Sequence, residues 1–380
     1  MVKRIFLRLK ILFLILSCPT LSFAQRISAA QPALESFSPA LEWSWTARLR
    51  TQVNFVAEQK PSSLQGQTST DWGSLEFGSF LLHDHEPVEI AFAGHIGPQR
   101  DPQHGEPVFQ WDELRLSSGN ETKISMGLLL DPVVSFDDRE WAETSLSSDF
   151  DAGVVRWGLL PASDLGLQVM KKTEWGAWTL QLTNGEGWPR RESGPRKDVQ
   201  LIWEKHVSMD ESNLAAQFFA REGGYDNLGE EHTSKRRLGG QFAYRSQIWR
   251  VGLTGVSFED PVDAVNGVFA EGVDLSDNGG EINRGTLGEI WLQYLWGEEA
   301  SRWRAMVRTA QLRPDSSNSE KDVMSTVWGV GRKIGPGMRL DLLFQKVDFG
   351  PQHSASAEDR QRWFLAWVWG LERRPVFAQP

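Results

Sequence analysis

Apolar and polar residues alternate at every second position along most of the chain between Trp43 and Leu371. In the stretch 43–55 one set reads Trp43, Trp45, Ala47, Leu49, Thr51, Val53, Phe55, and the set between them reads Ser44, Thr46, Arg48, Arg50, Gln52, Asn54. Successive side chains of a β-strand point to opposite faces, so this segment is a strand with one apolar face and one wet, charged face. Turn residues divide the alternation into about sixteen strands. They are expected at 42–57, 70–83, 87–97, 107–117, 121–131, 163–172, 175–184, 197–207, 212–222, 236–246, 247–258, 284–297, 300–312, 322–334, 337–349 and 361–371.

An open sheet of this size leaves edges that must be covered. An all-β, antiparallel transmembrane β-barrel removes them, with its apolar side toward lipid and its polar side toward a water-filled lumen. The connections give an independent sign. Short ones, such as 83–86, 118–120, 173–174, 209–211 and 334–336, alternate with long ones near 58–69, 98–106, 132–162, 185–196, 223–235, 259–283, 313–321 and 350–360. A barrel with short periplasmic turns and long external loops alternates in this way, whereas a sandwich or propeller has no reason to.

The N-terminus carries Lys3, Arg4, Arg8 and Lys10, then an apolar run too short to span a bilayer, then Ser22-Phe23-Ala24 before Gln25. We read 1–24 as an export signal, 25–41 as a polar lead-in, 42–371 as the barrel and 372–380 as a tail. Ile15-Leu16-Ser17-Cys18 offers a loose lipobox-like alternative, with Pro19 directly after it. Cleavage after Ala24 removes four basic residues and no acid, so the net charge moves from −10 to −14, and no cysteine is left for a disulfide. That acidic balance argues against nucleic acid. The mean hydropathy of −0.38 is that of a soluble protein, but in a barrel only alternate residues meet lipid. The 18 tryptophans fit a chain with two membrane–water interfaces. Together these features place the protein in the outer membrane of a Gram-negative-type bacterium, in contact with lipid.

Parity assigns the lumen face. In 301–308 the arginines Arg302, Arg304 and Arg308 share one side, and Trp303, Ala305 and Val307 share the other. The same logic turns Arg48, Arg50, Arg115, Arg245, Arg250 and Arg339 inward as pore-wall residues, with the acids Glu76, Glu89, Glu113, Glu204, Glu289 and Asp341. An arginine on the lipid side at mid-depth costs about 2–4 kcal/mol. The connection 132–162 carries Asp137, Asp138, Glu140, Glu143, Asp149 and Asp151 against Arg139 and Arg156. Folded into the lumen, it would form a constriction with its acids opposite the wall arginines, setting up a transverse field and sieving hydrated solutes. Its acids favour cations. An external, solvated loop is the plain alternative.

Gly127-Leu128-Leu129-Leu130-Asp131-Pro132, then Arg139-Glu140, Asp164-Leu165-Gly166-Leu167-Gln168 and Leu182-Thr183-Asn184-Gly185-Glu186-Gly187 together resemble the phosphate-selective porin O and P family, over roughly residues 85–190. The resemblance implies a sixteen-stranded outer-membrane channel, trimeric in the family, with an inward-folded third loop. Phosphate-specific members carry a basic ladder and a lysine-rich constriction. Here the corresponding connection is acidic and has no lysine between Pro132 and Ala162, which counts against phosphate specificity. The family's usual terminal aromatic is also absent, since the chain ends on Pro380.

The expected function is passive diffusion of small hydrophilic solutes or ions, without cofactor, metal or covalent chemistry. A surface adhesin or a plugged structural barrel shares the same strands. A barrel hydrolase needs a Ser/His pair with an orienting group, and the chain has 7 histidines. His83-Asp84-His85-Glu86 and the acidic stretch Asp274–Glu281 each admit a metal reading. The spacing of the second fails the EF-hand pattern, and a solvated turn and a solvated loop are the plainer readings.

Overall fold

The computed structural model describes residues 42–60, 63–69, 74–82, 87–98, 107–141, 153–185, 197–224, 234–261, 282–298, 302–335, 338–351 and 360–373, with side chains described from 113 onward except at 138, 156, 261, 360, 362, 364 and 366–373. The strands are β1 (Glu42–Lys60), β2 (Ser63–Ser69), β3 (Ser74–Leu82), β4 (Pro87–Pro98), β5 (Pro107–Ser118) and β6 (Thr122–Leu130). Two helices follow, α1 (Pro132–Trp141) and α2 (Gly153–Arg156). Then come β7 (Ser163–Thr173), β8 (Gly176–Thr183), β9 (Asp198–Met209), β10 (Ser212–Gly224), β11 (Ser234–Ser246) and β12 (Trp249–Pro261). The last strands are β13 (Ile282–Trp296), β14 (Trp303–Arg313), β15 (Val323–Gly335), β16 (Met338–Phe349) and β17 (Arg360–Arg373).

These strands form one antiparallel sheet in which sequence neighbours are hydrogen-bonded neighbours. The pairings return to their start, because β1 pairs with β17 on one flank and with β3 on the other. The described pairings therefore run round a ring from β1 back to β1, with β2 paired to β1 alone. Seventeen strands stand where about sixteen are expected, because the presumed long connection 58–69 contains a further strand. Lys60 faces Ser63, and β2 runs back along the far end of β1, beyond the part paired with β3. The hairpin is tight, and β2 and β3 occupy one place on the flank of β1. Its glutamine- and serine-rich sequence lacks the apolar alternation that marks the other strands. The final strand also continues to Arg373 rather than ending near 371. The export signal, the lead-in and the tail from 374 lie outside the described residues.

Along β13 exposure alternates residue by residue, with Arg284, Thr286, Gly288 and Ile290 exposed and Asn283, Gly285, Leu287, Glu289 and Trp291 buried. The exposed face of the sheet carries the large apolar side chains Leu116, Met126, Leu180, Phe218, Leu253, Ile290, Trp328 and Leu342, as a wall against hydrocarbon requires. At the short-turn ends of β12–β14 it carries an aromatic group. The ring centroids of Trp249 and Tyr294 lie 4.5 Å apart, Tyr294 and Trp296 5.4 Å, and Trp296 and Trp303 6.2 Å. Such rings mark the membrane–water boundary.

The inner face differs from a uniformly wet wall. Phe219, Val256, Phe258, Leu287, Leu312, Val323 and Val347 point inward and are buried. The reason is the connection 132–162, whose described parts, 132–141 and 153–162, lie inward and bring Val133, Val134, Val154, Trp157, Leu159 and Leu160 against them. A second cluster joins Phe136 and Trp141 of α1 to Ala243, Trp291, Met306 and Leu343 of the wall.

Candidate functional site

The inward segment begins where the sequence demands it. Asp131 Oδ1 accepts the backbone N–H of Val133 at 2.9 Å, and Pro132 occupies the first helical position. An acceptor side chain before a helix and proline at its first position are the usual start signals. The ends of the segment are clamped by Asp131 N–H donating to the Ala162 carbonyl at 2.9 Å. A helix of 10 residues is about 15 Å long, or roughly three inter-strand spacings. α1 lies across the wall accordingly. Gln217 on β10 donates to the Pro132 carbonyl at 3.2 Å, Gln241 on β11 to the Val133 carbonyl at 3.1 Å, and Gln293 on β13 to the Trp141 carbonyl at 3.3 Å.

Ion pairs fix the rest. Arg308 on β14 donates to Asp137 of α1 at 2.9 Å and also to Glu289 on β13. Glu289 in turn accepts the Gly153 N–H of α2 at 2.7 Å. A Cβ at Gly153 would sit 2.6 Å from that Glu289 oxygen, so a larger residue there has to push the carboxylate aside. Arg237 on β11 bonds the Leu159 carbonyl at 3.1 Å and Asp260 at 2.9 Å. At the base of the segment Arg221 bridges Asp198 at 2.6 Å and Asp131 at 3.0 Å, and Lys235 meets Asp198 at 2.9 Å. Burial pushes the Asp131 carboxyl above the usual carboxylate range, against the opposing pull of Arg221 and the Val133 N–H.

One group on α1 borders open space. Arg139, nearly half exposed, donates to Glu204 on β9 at 2.8 Å and to its neighbour Glu140 at 3.3 Å. His206 Nε2 stands 2.7 Å from the same Glu204 oxygen and 3.3 Å from Arg139 Nη2. Glu204 is held from behind by Gln217 at 2.8 Å.

The short-turn end of the wall is different. Arg245 and Arg250 are directly opposite one another on β11 and β12, on the inward parity and half-buried. Farther round, Arg304 bonds Asp341 through two nitrogens at 3.0 and 2.8 Å, and Arg339 reaches the same acid at 2.6 Å. Lys333 and Arg339 are register partners, and the Arg302 carbonyl accepts the Lys333 N–H at 2.9 Å. Among the described residues, Asp341 is the only acid on the inner face of β11–β16 at this end.

The expected wall residues therefore fall into several groups. Arg304 and Arg308 are buried in ion pairs, and Arg339 is half-buried in one. Arg115 pairs with Glu113 on its own strand at 2.9 Å. Arg245, Arg250 and Arg302 lie at the short-turn end. For Arg48 and Arg50, as for Glu76 and Glu89, only backbone positions are described. Of the constriction acids, Asp137 and Glu140 are buried, the side chain of Asp138 is not described, and Glu143, Asp149 and Asp151 lie outside the described residues. Asp137 does not face Arg308 across water, as the transverse-field expectation has it; the two are in contact. The apolar packing of α1 leaves no gap between them. Sequence reasoning missed α1 itself, the gripping glutamines, and Asp131, Asp198, Arg221, Lys235, Arg237 and Asp260. Asp131-Pro132 is the signal that could have found the helix.

Among the described residues no cluster of acids and histidines is arranged to hold a metal, and no helix is long and apolar enough to cross a membrane. The candidate metal turn 83–86 and the stretch 274–281 lie outside the described residues.

No protein-family model matches the chain, and no curated protein sequence matches it. Solved structures do. The chain is similar to OmpF of Salmonella typhi, solved with daunomycin, at a TM-score of 0.58 and 9% identity over 89% of this chain and 100% of that one. It is similar to OmpT, an outer membrane protein of Vibrio cholerae, at 0.58 and 11% identity over 89% and 100%. The anion-selective porin from Comamonas acidovorans aligns at 0.57 and 10% identity over 87% and 100%. At such identities the likeness establishes the fold, a porin-type β-barrel, and does not single out a phosphate-selective branch.

Proposed function

We propose that the protein is an outer-membrane porin through which small hydrophilic solutes and ions diffuse passively, assembled as a homotrimer. The observation that carries this reading is the inward segment. A wall with an apolar exterior and an interior bearing a docked, charged helix is a channel narrowed by one fixture, which is what size selection needs. The ion preference follows from which charges remain beside water. Asp137 and Glu140 are buried, so these two acids contribute little to the lumen. Arg245, Arg250 and Arg302 stand half-buried on the inner face near the short-turn mouth. The lumen at that end is positive and draws anions.

The adhesin and plugged-barrel readings share the exterior and differ in conductance. The enzyme reading also shares the barrel and would need a hydroxyl, an imidazole and an orienting group brought together. The deciding experiment is single-channel recording in a planar lipid bilayer with a salt gradient. Steady open steps with an anion-directed reversal potential are expected. Verified insertion without current would sink the porin reading, and a cation-directed potential would overturn the anion assignment alone.

A further inference from the structure

The contact between α1 and the wall at His206 has a composition that neither docking nor sieving explains. Elsewhere the segment is held by buried, apolar or fully paired groups. Here four ionisable side chains meet at the edge of open space. Arg139 and Glu140 come from α1, and Glu204 and His206 come from β9. Arg139 and His206 are each more than two-fifths exposed. The Phe136 ring lies 6.2 Å from the imidazole and 5.4 Å below the Arg139 guanidinium, so it backs both. The flanking strands add no charge, since β10 places Ala215 opposite His206 and Gln217 opposite Glu204, while β8 places Ala177 opposite Glu204.

We infer that His206 makes the ion preference of the lumen depend on pH, through competition with Arg139 for Glu204. The inference rests on the porin reading. Histidine is the side chain whose ordinary charge change falls between about pH 5 and 8. A neutral imidazole has one donor and one acceptor nitrogen; with Nε2 2.7 Å from Glu204 Oε1 it is Nε2 that donates, beside Arg139 Nη2 at 3.3 Å, which donates to the same oxygen. A protonated imidazole has two donors and no acceptor. Its Nε2 then belongs to Glu204, and its Nδ1 points to Glu140 at 3.9 Å. Arg139 gains a like charge 3.3 Å away, and the charged imidazole competes with it more strongly for Glu204. Nearly half exposed, the guanidinium turns toward the lumen. Acidification thus adds one positive charge to the cluster and releases a second toward the pathway, and both changes favour anions.

The test compares reversal potentials in a potassium chloride gradient at pH 8 and pH 5 for the wild type, His206→Gln and Arg139→Gln. The amide of glutamine keeps a donor for Glu204 and does not titrate. Wild type is expected to become more anion-selective at pH 5 by roughly two-fold, the scale of one screened charge beside the pathway. His206→Gln should show the same potential at both values, and Arg139→Gln a reduced step. A step that survives in His206→Gln, or pH-independent wild-type currents, overturns the switch and leaves the pore intact. Absence of current at both pH values overturns the pore reading and the switch with it. Heat-shifted gel mobility of each variant confirms that the barrel has formed.

Discussion

Two stretches of one inner wall are rich in arginine and use it in opposite ways. From mid-wall to the long-loop end, Arg221, Arg237 and Arg308 are buried, and each faces a buried acid. At the short-turn end, Arg245 and Arg250 are half-buried and face each other. The difference lies in what arrives from outside the sheet. Where the inward segment docks, it excludes water, and a charge there must be paired or it is costly. At the short-turn end Arg245 and Arg250 keep part of their surface open on the inner face, and a partly exposed charge adds to the field of the lumen. The same side chain is a fastener in one place and part of the field in the other.

The largest effects should come from breaking the fasteners. Arg308→Met leaves Asp137 and Glu289 buried side by side with no cation between them. Removing one partner of a buried pair costs about 3–5 kcal/mol, read as a lowered urea midpoint or a lowered temperature of the gel-mobility shift. Arg237→Met should cost a similar amount, because Asp260 is 0% exposed and its partner is removed. Both variants should also give larger, noisier currents as the segment loosens. A stability loss within about 0.5 kcal/mol, the usual range for surface changes, would mean that apolar packing alone holds the segment.

How much of this was readable in advance depends on the range of each signal. A strand announces itself locally by alternation, so most boundaries fall within a few residues of expectation; β13, expected at 284–297, runs Ile282–Trp296. Parity likewise puts Arg304 and Arg308 on one face and Trp303 and Val307 on the other. β2 was not legible because Gln65 and Gln67 alternate with Leu64, Gly66 and Thr68 without a clear apolar face. α1 was hidden by the habit of reading any acidic connection as loop, although Asp131-Pro132 marks its start. The pairings themselves could not be read at all. Asp137 and Arg308 stand 171 positions apart and meet only because the barrel closes. Parity states that a residue points inward, and only the packed segment decides whether it meets an acid or water.

Neutralising the short-turn end sharpens the comparison from the other side. Arg245→Gln with Arg250→Gln should leave stability within about 0.5 kcal/mol, or raise it slightly, because like charges directly opposite across strands are unfavourable. The reversal potential should move toward cations, most clearly at low salt, where the charges are least screened. A large stability loss with unchanged selectivity would put these arginines in the same class as Arg308.

Asp131 sits on the boundary between the two uses and gives the smallest effect. It is buried and faces Arg221, yet burial outweighs the pairing and raises its carboxyl above the ordinary value. A carboxyl held that way binds its proton more tightly in the folded state. The folded state therefore carries a penalty at pH values above the folded pKa, and wild type gains stability as pH falls through it. Asparagine keeps the oxygen that caps α1 and carries no charge at any pH. Asp131→Asn should thus lie within about 1 kcal/mol of wild type near neutrality, and urea midpoints measured from pH 7 down to about pH 4 should move in favour of wild type. The opposite trend, with wild type losing ground as acid is added, would show that Arg221 keeps the carboxylate ionised. Asp131 would then be a fastener of the Arg308 kind, bound by charge, and the helix cap would be secondary.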